Sequence, residues 1–522
     1  MDTIKKNGLF TYRSFFLTDN AILIYLALIK FIVLFVTNAL GGYGYFRDEF
    51  YYIACSDHMA WGYVDQPPLS IAVLWFNRLF LGDSLLALRL LPAVTGAVVV
   101  VLAGLMTREL GGKRFSQVLA ACSVIVSPLM LWTNSVFSMN VFDVLFWTLA
   151  FYLIIIITKK NAEKYWFILG IVLGLGLLNK ISVLWLGTGL AVGLLLTHNR
   201  RLYMTRRVWI AAAIALLIFL PHVIWQIAYG FPTLEFIRNA TVNKYVAVSP
   251  LQMLIDQTLT MNPLTLPLWF SGLVYLLVSK SVRPFRILPI IYLTVFFILV
   301  INRNSKAEYL APMFPMLYAA GSFTFEKFIT KLNWRWLKPV ALALILLSGI
   351  VFAPFTIAVL PVDTFIAYMP MLGMAPSTSE NKELSKLPQY YADMFGWEKM
   401  VAAVADAYNT LTPEEKMKCA IIGNNYGETG AIDFYGQKYN LPKAISGHNN
   451  YWLWGHRNAT GEVVIRMGGS MDAMLESYNE VQRVGLFRDD YCMPYENNMA
   501  IYVCKNRRTP LKDDWADFRH YE

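Results

Sequence analysis

Charge is what this sequence has little of. Only 15% of its 522 residues are Asp, Glu, Lys or Arg, where a soluble globular chain carries about 25%. A water-soluble fold along the whole length is thereby excluded. Cysteine is scarce as well. Cys55, Cys122, Cys419, Cys492 and Cys504 show none of the paired spacings that hold zinc, so no zinc module is expected. The chain has no internal repeat, heptad pattern or low-complexity tract, which removes solenoids and coiled coils. No small-residue cleavage site follows the first apolar run, so that run is expected to persist as a helix and not be removed as a signal peptide.

What is there is apolar. Hydrophobic residues make up 57% of the chain, with 15 Trp, 29 Tyr and 33 Phe. Between Ala21 and Leu360 they fall in runs of about 16–25 residues, long enough to cross a hydrocarbon core of ~30 Å as helices. The expected spans are 21–39, 84–108, 117–133, 139–158, 165–179, 181–198, 208–227, 263–279, 286–302, 309–325 and 339–360. After Pro361 the runs stop, and Asp, Glu, Asn and Gly become frequent. This gives an α-helical polytopic membrane protein of about eleven transmembrane helices, residues 1–360, followed by a soluble α/β domain, residues 361–522. In the tail, helices are expected at Trp397–Asn409, Pro413–Lys418 and Met471–Tyr478. Strands are expected at Cys419–Gly423, Glu462–Met467, Val481–Phe487 and Ala500–Cys504. Cys492 and Cys504 are either free thiols or, in an oxidising compartment, a disulfide.

The formal charge of +10 does not point to nucleic acid, because the basic residues cluster in alternate loops. They stand at Lys5, Lys6 and Arg13, at Lys113 and Arg114, at Lys159 and Lys160, at Arg200 and Arg201, at Lys280 and Arg283, and at Lys327 and Lys331. This positive-inside pattern places the N-terminus in the cytoplasm, and an odd number of spans places the tail outside.

Two connections are long. The second, 228–262, is polar and aromatic. The first, 40–83, is expected to hold two amphipathic interfacial helices, around Glu49–Met59 and Leu69–Phe80. It also carries Arg47-Asp48-Glu49-Phe50-Tyr51-Tyr52 and Tyr63-Val64-Asp65-Gln66-Pro67-Pro68. Ionisable groups beside a low-dielectric layer are costly and mark functional sites. A carboxylate held there is a general base toward a hydroxyl. Simple solvation of the loop explains these charges about as well on composition alone. The prolines redirect the chain after Asp65.

The order of these motifs resembles a known family. Asp48-Glu49, Tyr63-x-Asp65-Gln66-Pro67-Pro68, Ser138-Met139-Asn140-Val141-Phe142-Asp143, Leu178-Asn179-Lys180, Leu220-Pro221-His222 and Lys306-Ala307-Glu308-Tyr309 run in sequence. So do Asp393-Met394-Phe395-Gly396-Trp397 and Asn425-Tyr426-Gly427-Glu428 in the tail. Together they resemble the lipid-linked-sugar glycosyltransferases of the C-type (GT-C) fold, in their bacterial protein-mannosyltransferase and aminoarabinose-transferase branch. The resemblance implies transfer, with inversion, of a sugar from a polyprenyl-phosphate donor to a hydroxyl of a glycan, lipid or protein acceptor. It implies a bacterial inner membrane and a periplasmic tail. Asp48 is then the expected base, with Glu49, Asp65, Lys180, His222, Lys306, Tyr309 and Asp143 as expected substrate-binding residues. Arg303 is a further candidate for the phosphate. No cofactor is fixed; a divalent cation is the one candidate, with Asp65 its candidate ligand. Gln66 departs from the lysine of the aminoarabinose branch, and Asp65 from its Glu. The alternative reading is a transporter or flippase of lipid-linked sugars, and a scaffold is a third.

Overall fold

A computed structural model of the protein describes residues 18–160, 162–244, 247–302, 305–378, 380 and 382–522. Lys5, Lys6, Arg13 and Arg303 lie outside the described residues. The chain divides into two compact units. One is built from Met1–Gly41, Leu86–Val223 and Ala247–Leu360, the other from Gly42–Leu85, Ile224–Val246 and Pro361–Glu522.

Every expected span coincides with helix, but the helices differ in reach. Six are long and apolar enough to cross a membrane: Asp19–Leu40, Leu85–Glu109, Met139–Lys160, Arg206–Ala228, Lys280–Ile301 and Leu337–Phe355. Two bent pairs raise this to as many as eight: Arg114–Ile125 with Pro128–Ser135, bent by 60°, and Pro250–Thr260 with Pro263–Val278, bent by 103°. Pro128 and Pro263 open the second arm of each pair, where a missing N–H interrupts the helical ladder. Lys164–Asn179 and Val183–Leu196 are shorter apolar helices of 16 and 14 residues, and rise only about 24 and 21 Å. Phe314–Leu332 carries Glu326, Lys327 and Lys331. The chain is a multi-pass membrane protein whose spanning elements are less uniform than hydropathy suggests. The long connection 228–262 is also corrected: it contains the helices Pro232–Asn239 and Pro250–Thr260. Leu251, Leu254, Ile255 and Leu259 give the second of these a helical apolar period.

Lipid offers helices no hydrophobic drive to associate, so close packing at small residues takes its place. A Cβ on Gly272 would lie 2.4 Å from Gly321 N, and one on Gly321 would lie 2.1 Å from Leu268 O. Helices Leu266–Val278 and Phe314–Leu332 therefore touch backbone to backbone. Gly189 and Gly193, four residues apart, meet Ile291 and Ile287 in the same way.

In the second unit the tail strands are β1 (Cys419–Ile422), β2 (Val463–Met467), β3 (Tyr478–Phe487) and β4 (Met499–Arg507). Their order in the sheet is β1-β2-β4-β3, parallel only between β1 and β2. Helix Trp397–Asn409 packs Met400, Val401 and Val404 into a cluster with Ile421, Ile465, Val503 and, from the first long loop, Phe50. Phe50 is a buried member of the tail's own core. All five cysteines are free. Cys492 belongs to this cluster, while Cys504 points into a second one with Val464 and Trp515. The two sulfurs are held in separate cores, and the disulfide alternative is not realised.

Candidate functional site

Helix Arg47–Asp57 starts where Glu49 accepts the Phe46 N–H on Oε2 at 2.8 Å, while its own N–H returns to Phe46 O. That reciprocal cap fixes the first turn and places the Glu49 carboxylate fully inside the protein. Asp48 is rotated about 100° from it, and its side chain is 34% exposed. Of the neighbouring carboxylates, one is a buried cap and the other faces out.

Asp48 is held from the tail. Tyr426 Oη donates to Asp48 Oδ1 at 2.8 Å, and Arg47 Nε lies 3.5 Å from the same oxygen. Two glycines make this approach possible. A Cβ on Gly427 would sit 2.4 Å from Arg47 Cγ, and one on Gly430 would sit 2.9 Å from Phe50 Cβ. Spaced three apart, they give helix Tyr426–Tyr435 a bare face against helix Arg47–Asp57. Asn425 caps that helix, its Oδ1 accepting from Gly427 N and Glu428 N.

Asp65 is reached through the neighbouring ring. Tyr51 packs 4.8 Å from the Tyr426 ring and donates to Asp65 Oδ1 at 3.0 Å. Asn450, again from the tail, accepts the Val64 N–H at 2.7 Å and donates its own N–H to Tyr51 Oη at 3.4 Å. Burial pushes the Tyr51 phenol well above its ordinary range, and Asp65 adds to this. Burial does the same to Tyr426, with Arg47 opposing and Asp48 reinforcing. Both phenols stay protonated and act as donors. Gln66 is fully buried, with Ser70 Oγ donating to its Oε1 at 3.4 Å. Among the described residues no group of three or more His, Cys, Asp or Glu side chains is placed to hold a metal, Asp65 included.

Behind Arg47 stands a buried acidic group. The guanidinium lies 3.8 Å from Asp393 and donates to Tyr495 Oη, and Glu496, Glu428 and Glu380 are also buried. Burial, then Asp393, raises Glu496 well above the ordinary carboxyl range, and burial raises Glu428. A carboxyl whose folded value is raised contributes stability that is full below its unfolded value, 4.5 for these two. That stability is lost as pH rises through the folded value. The protein is therefore expected to unfold at a lower temperature at pH 8 than at pH 5, and Glu496→Gln is expected to flatten that slope. A thermal melt series of both proteins across this range checks it; parallel slopes would remove Glu496 as the cause.

In the first unit, Asp143 is buried on helix Met139–Lys160 and accepts from Ser182 Oγ at 2.8 Å. Lys180 Nζ stands 3.6 Å from Asp143 and 2.7 Å from Asn140 Oδ1, and lies over the Tyr309 ring at 5.1 Å. The structure thus gathers Asp143, Lys180 and Tyr309. His222 is buried with its ring 5.2 Å from that of Phe219. Lys306 is half-buried and precedes the short helix Ala307–Met313. The same unit has an apolar groove of about 490 Å³ lined by Leu254, Ile255, Leu259, Trp269, Tyr292 and Phe296. Sequence reasoning misses the groove because the segment of helix Pro250–Thr260 reads as a polar loop. It misses Tyr426 and Asn450 as partners of the loop carboxylates because nothing local pairs them with residues some 400 positions away.

Residues 65–225 match the family model described as dolichyl-phosphate-mannose-protein mannosyltransferase. No curated protein sequence matches. The crystal structures of ArnT from Cupriavidus metallidurans, apo and bound to undecaprenyl phosphate, align over 92% of this chain and 97% of theirs. Identity is 12% and the TM-score 0.58. The chain has the C-type glycosyltransferase fold. The apo oligosaccharyltransferase of Archaeoglobus fulgidus aligns at 13% identity and a TM-score of 0.50, over 81% of this chain and 64% of that one. At such identities the C-type fold is what the likeness carries.

Proposed function

We propose that the protein is a membrane glycosyltransferase that takes a sugar from a polyprenyl-phosphate donor and passes it to an acceptor hydroxyl on the external face. The observation that carries this is Asp48: a half-exposed carboxylate with one oxygen fixed by Tyr426 and Arg47, on a chain with the C-type fold. In the reaction the acceptor oxygen attacks the anomeric carbon and Asp48 takes its proton. The bond from that carbon to the phosphate oxygen breaks, and polyprenyl monophosphate leaves with the electron pair. The configuration inverts.

A leaving phosphate needs positive charge, and the first unit offers it at Lys180, with Lys306 and His222 as further donors. Asp143 orients Lys180, and Tyr309 backs it. Asp65, set by Tyr51, orients sugar or acceptor, while Glu49 supports the site through the helix start. The apolar groove, lined almost wholly by carbon, suits an isoprenoid chain. The membrane is the bacterial inner membrane, with the N-terminus cytoplasmic and the 361–522 domain periplasmic, in keeping with the alternation of basic loops.

Mass spectrometry of envelope glycans from cells with and without the gene tests this. The deletion is expected to remove one sugar substituent from a defined acceptor. The same loss with the lipid-linked sugar confined to the cytoplasmic side would instead indicate a transporter, and unchanged glycans would overturn the reading.

A further inference from the structure

Both contacts to Asp48 fall on one oxygen. Tyr426 Oη and Arg47 Nε approach Oδ1, and Oδ2 makes no hydrogen bond or ion pair among the described residues. A carboxylate tethered in this way presents its second oxygen in a fixed direction, which is what an attacking hydroxyl requires of a base.

The tether is itself tightly built. The Tyr426 ring has Tyr51 at 4.8 Å, His448 at 4.8 Å and the Arg47 guanidinium at 5.5 Å. Its backbone N–H donates to His448 Nδ1 at 3.3 Å. Its hydroxyl has Asp48 as its hydrogen-bond partner among the described residues. The charged and titratable groups facing this pair are Arg47 and Tyr51 from the loop helix, and His448, Glu380, Asp393 and Tyr495 from the tail.

We propose that Tyr426, a residue of the C-terminal segment, positions Asp48 for proton abstraction, so that the tail supplies part of the catalytic apparatus. The proposal rests on the reading of Asp48 as general base. Tyr426 is a positioning residue: it acts through Asp48, holding one oxygen so that the other is aimed, and takes no proton itself. The loop motif and the tail motif form one functional group.

The test uses membranes carrying the full chain, with the source cells' own radiolabelled polyprenyl-phosphate sugars as donor, assayed from pH 3 to 9. Tyr426→Phe keeps the ring and removes only the donor. Its kcat is expected to fall about tenfold, with the donor KM within about twofold of wild type. The acid limb of its rate profile against pH is expected to move up, because removing a donor to the charged form of a base disfavours that form. Placing 3,5-difluorotyrosine at 426 gives a stronger donor of nearly the same shape and is expected to move the limb down. If Tyr426→Phe matches wild type in kcat and limb while Asp48→Asn is inactive, the tyrosine proposal is overturned and the base reading stands. If Asp48→Asn keeps wild-type turnover, both fall. Should Tyr426→Phe not fold, an unmoved limb in the fluorinated protein overturns the proposal.

Discussion

Asp48→Asn is expected to lower sugar transfer by about 10²- to 10⁴-fold, the range over which a positioned general base contributes. The substitution is close to isosteric, and the new amide oxygen still accepts from Tyr426, which donates to Asp48 Oδ1 at 2.8 Å. What disappears is the ability to take a proton. Helix Arg47–Asp57 keeps its cap on Glu49, so the melting temperature is expected to stay within a few degrees of wild type. Transfer measured on membranes, alongside a thermal melt, separates lost chemistry from lost fold. A variant that melts normally and turns over at the wild-type rate would take the base role away from this residue.

The second large effect is expected at Arg47. Its guanidinium is almost wholly buried, 3.8 Å from Asp393, bonded to Tyr495 and lying over the Tyr426 ring. Desolvation works against its charge. Asp393, the two tyrosines and Asp48 outweigh that and hold it above its ordinary value. Arg47→Met replaces the cation with an apolar chain of similar length and leaves Asp393 without that partner, beside Glu496. Breaking a buried pair in this way costs about 3–5 kcal/mol, a large part of a typical domain's stability. The deficit is expected to shrink as pH falls toward 5, because the remaining carboxyls then take up protons and no longer repel one another. Melting temperatures of wild type and Arg47→Met at pH 5 and pH 8 measure both effects. Equal melting at both values would mean that the guanidinium does not hold the acidic group together.

Much of this protein is readable along the chain, and the reason is physical. Whether a segment can cross hydrocarbon depends on its own composition and length, and every expected span coincides with helix. Strands alternating with turns in the tail depend on equally short patterns. Helices Trp397–Asn409 and Pro413–Lys418 agree with expectation residue for residue, and the second opens on a capping box of Thr412 and Glu415, a pattern four letters long. The unevenness of the spans was not legible. Hydropathy averages over prolines, and the 60° and 103° bends follow from where Pro128 and Pro263 interrupt the ladder. Helix Pro250–Thr260 was hidden by the polar residues Gln252, Asp256 and Gln257 between its apolar ones.

The sequence by itself determined a many-helix membrane chain, a C-terminal domain with a small sheet, and a loop that brings Asp48, Glu49 and Asp65 close in sequence. Which neighbouring carboxylate caps a helix and which faces outward was settled by the fold, because that depends on where the Phe46 N–H points. The partner of Asp48 was settled there too. Asp48 and Tyr426 are 378 residues apart, and no local pattern joins them. They meet because Gly427 and Gly430 leave one face of a tail helix bare, and Phe50 fills the core beside it.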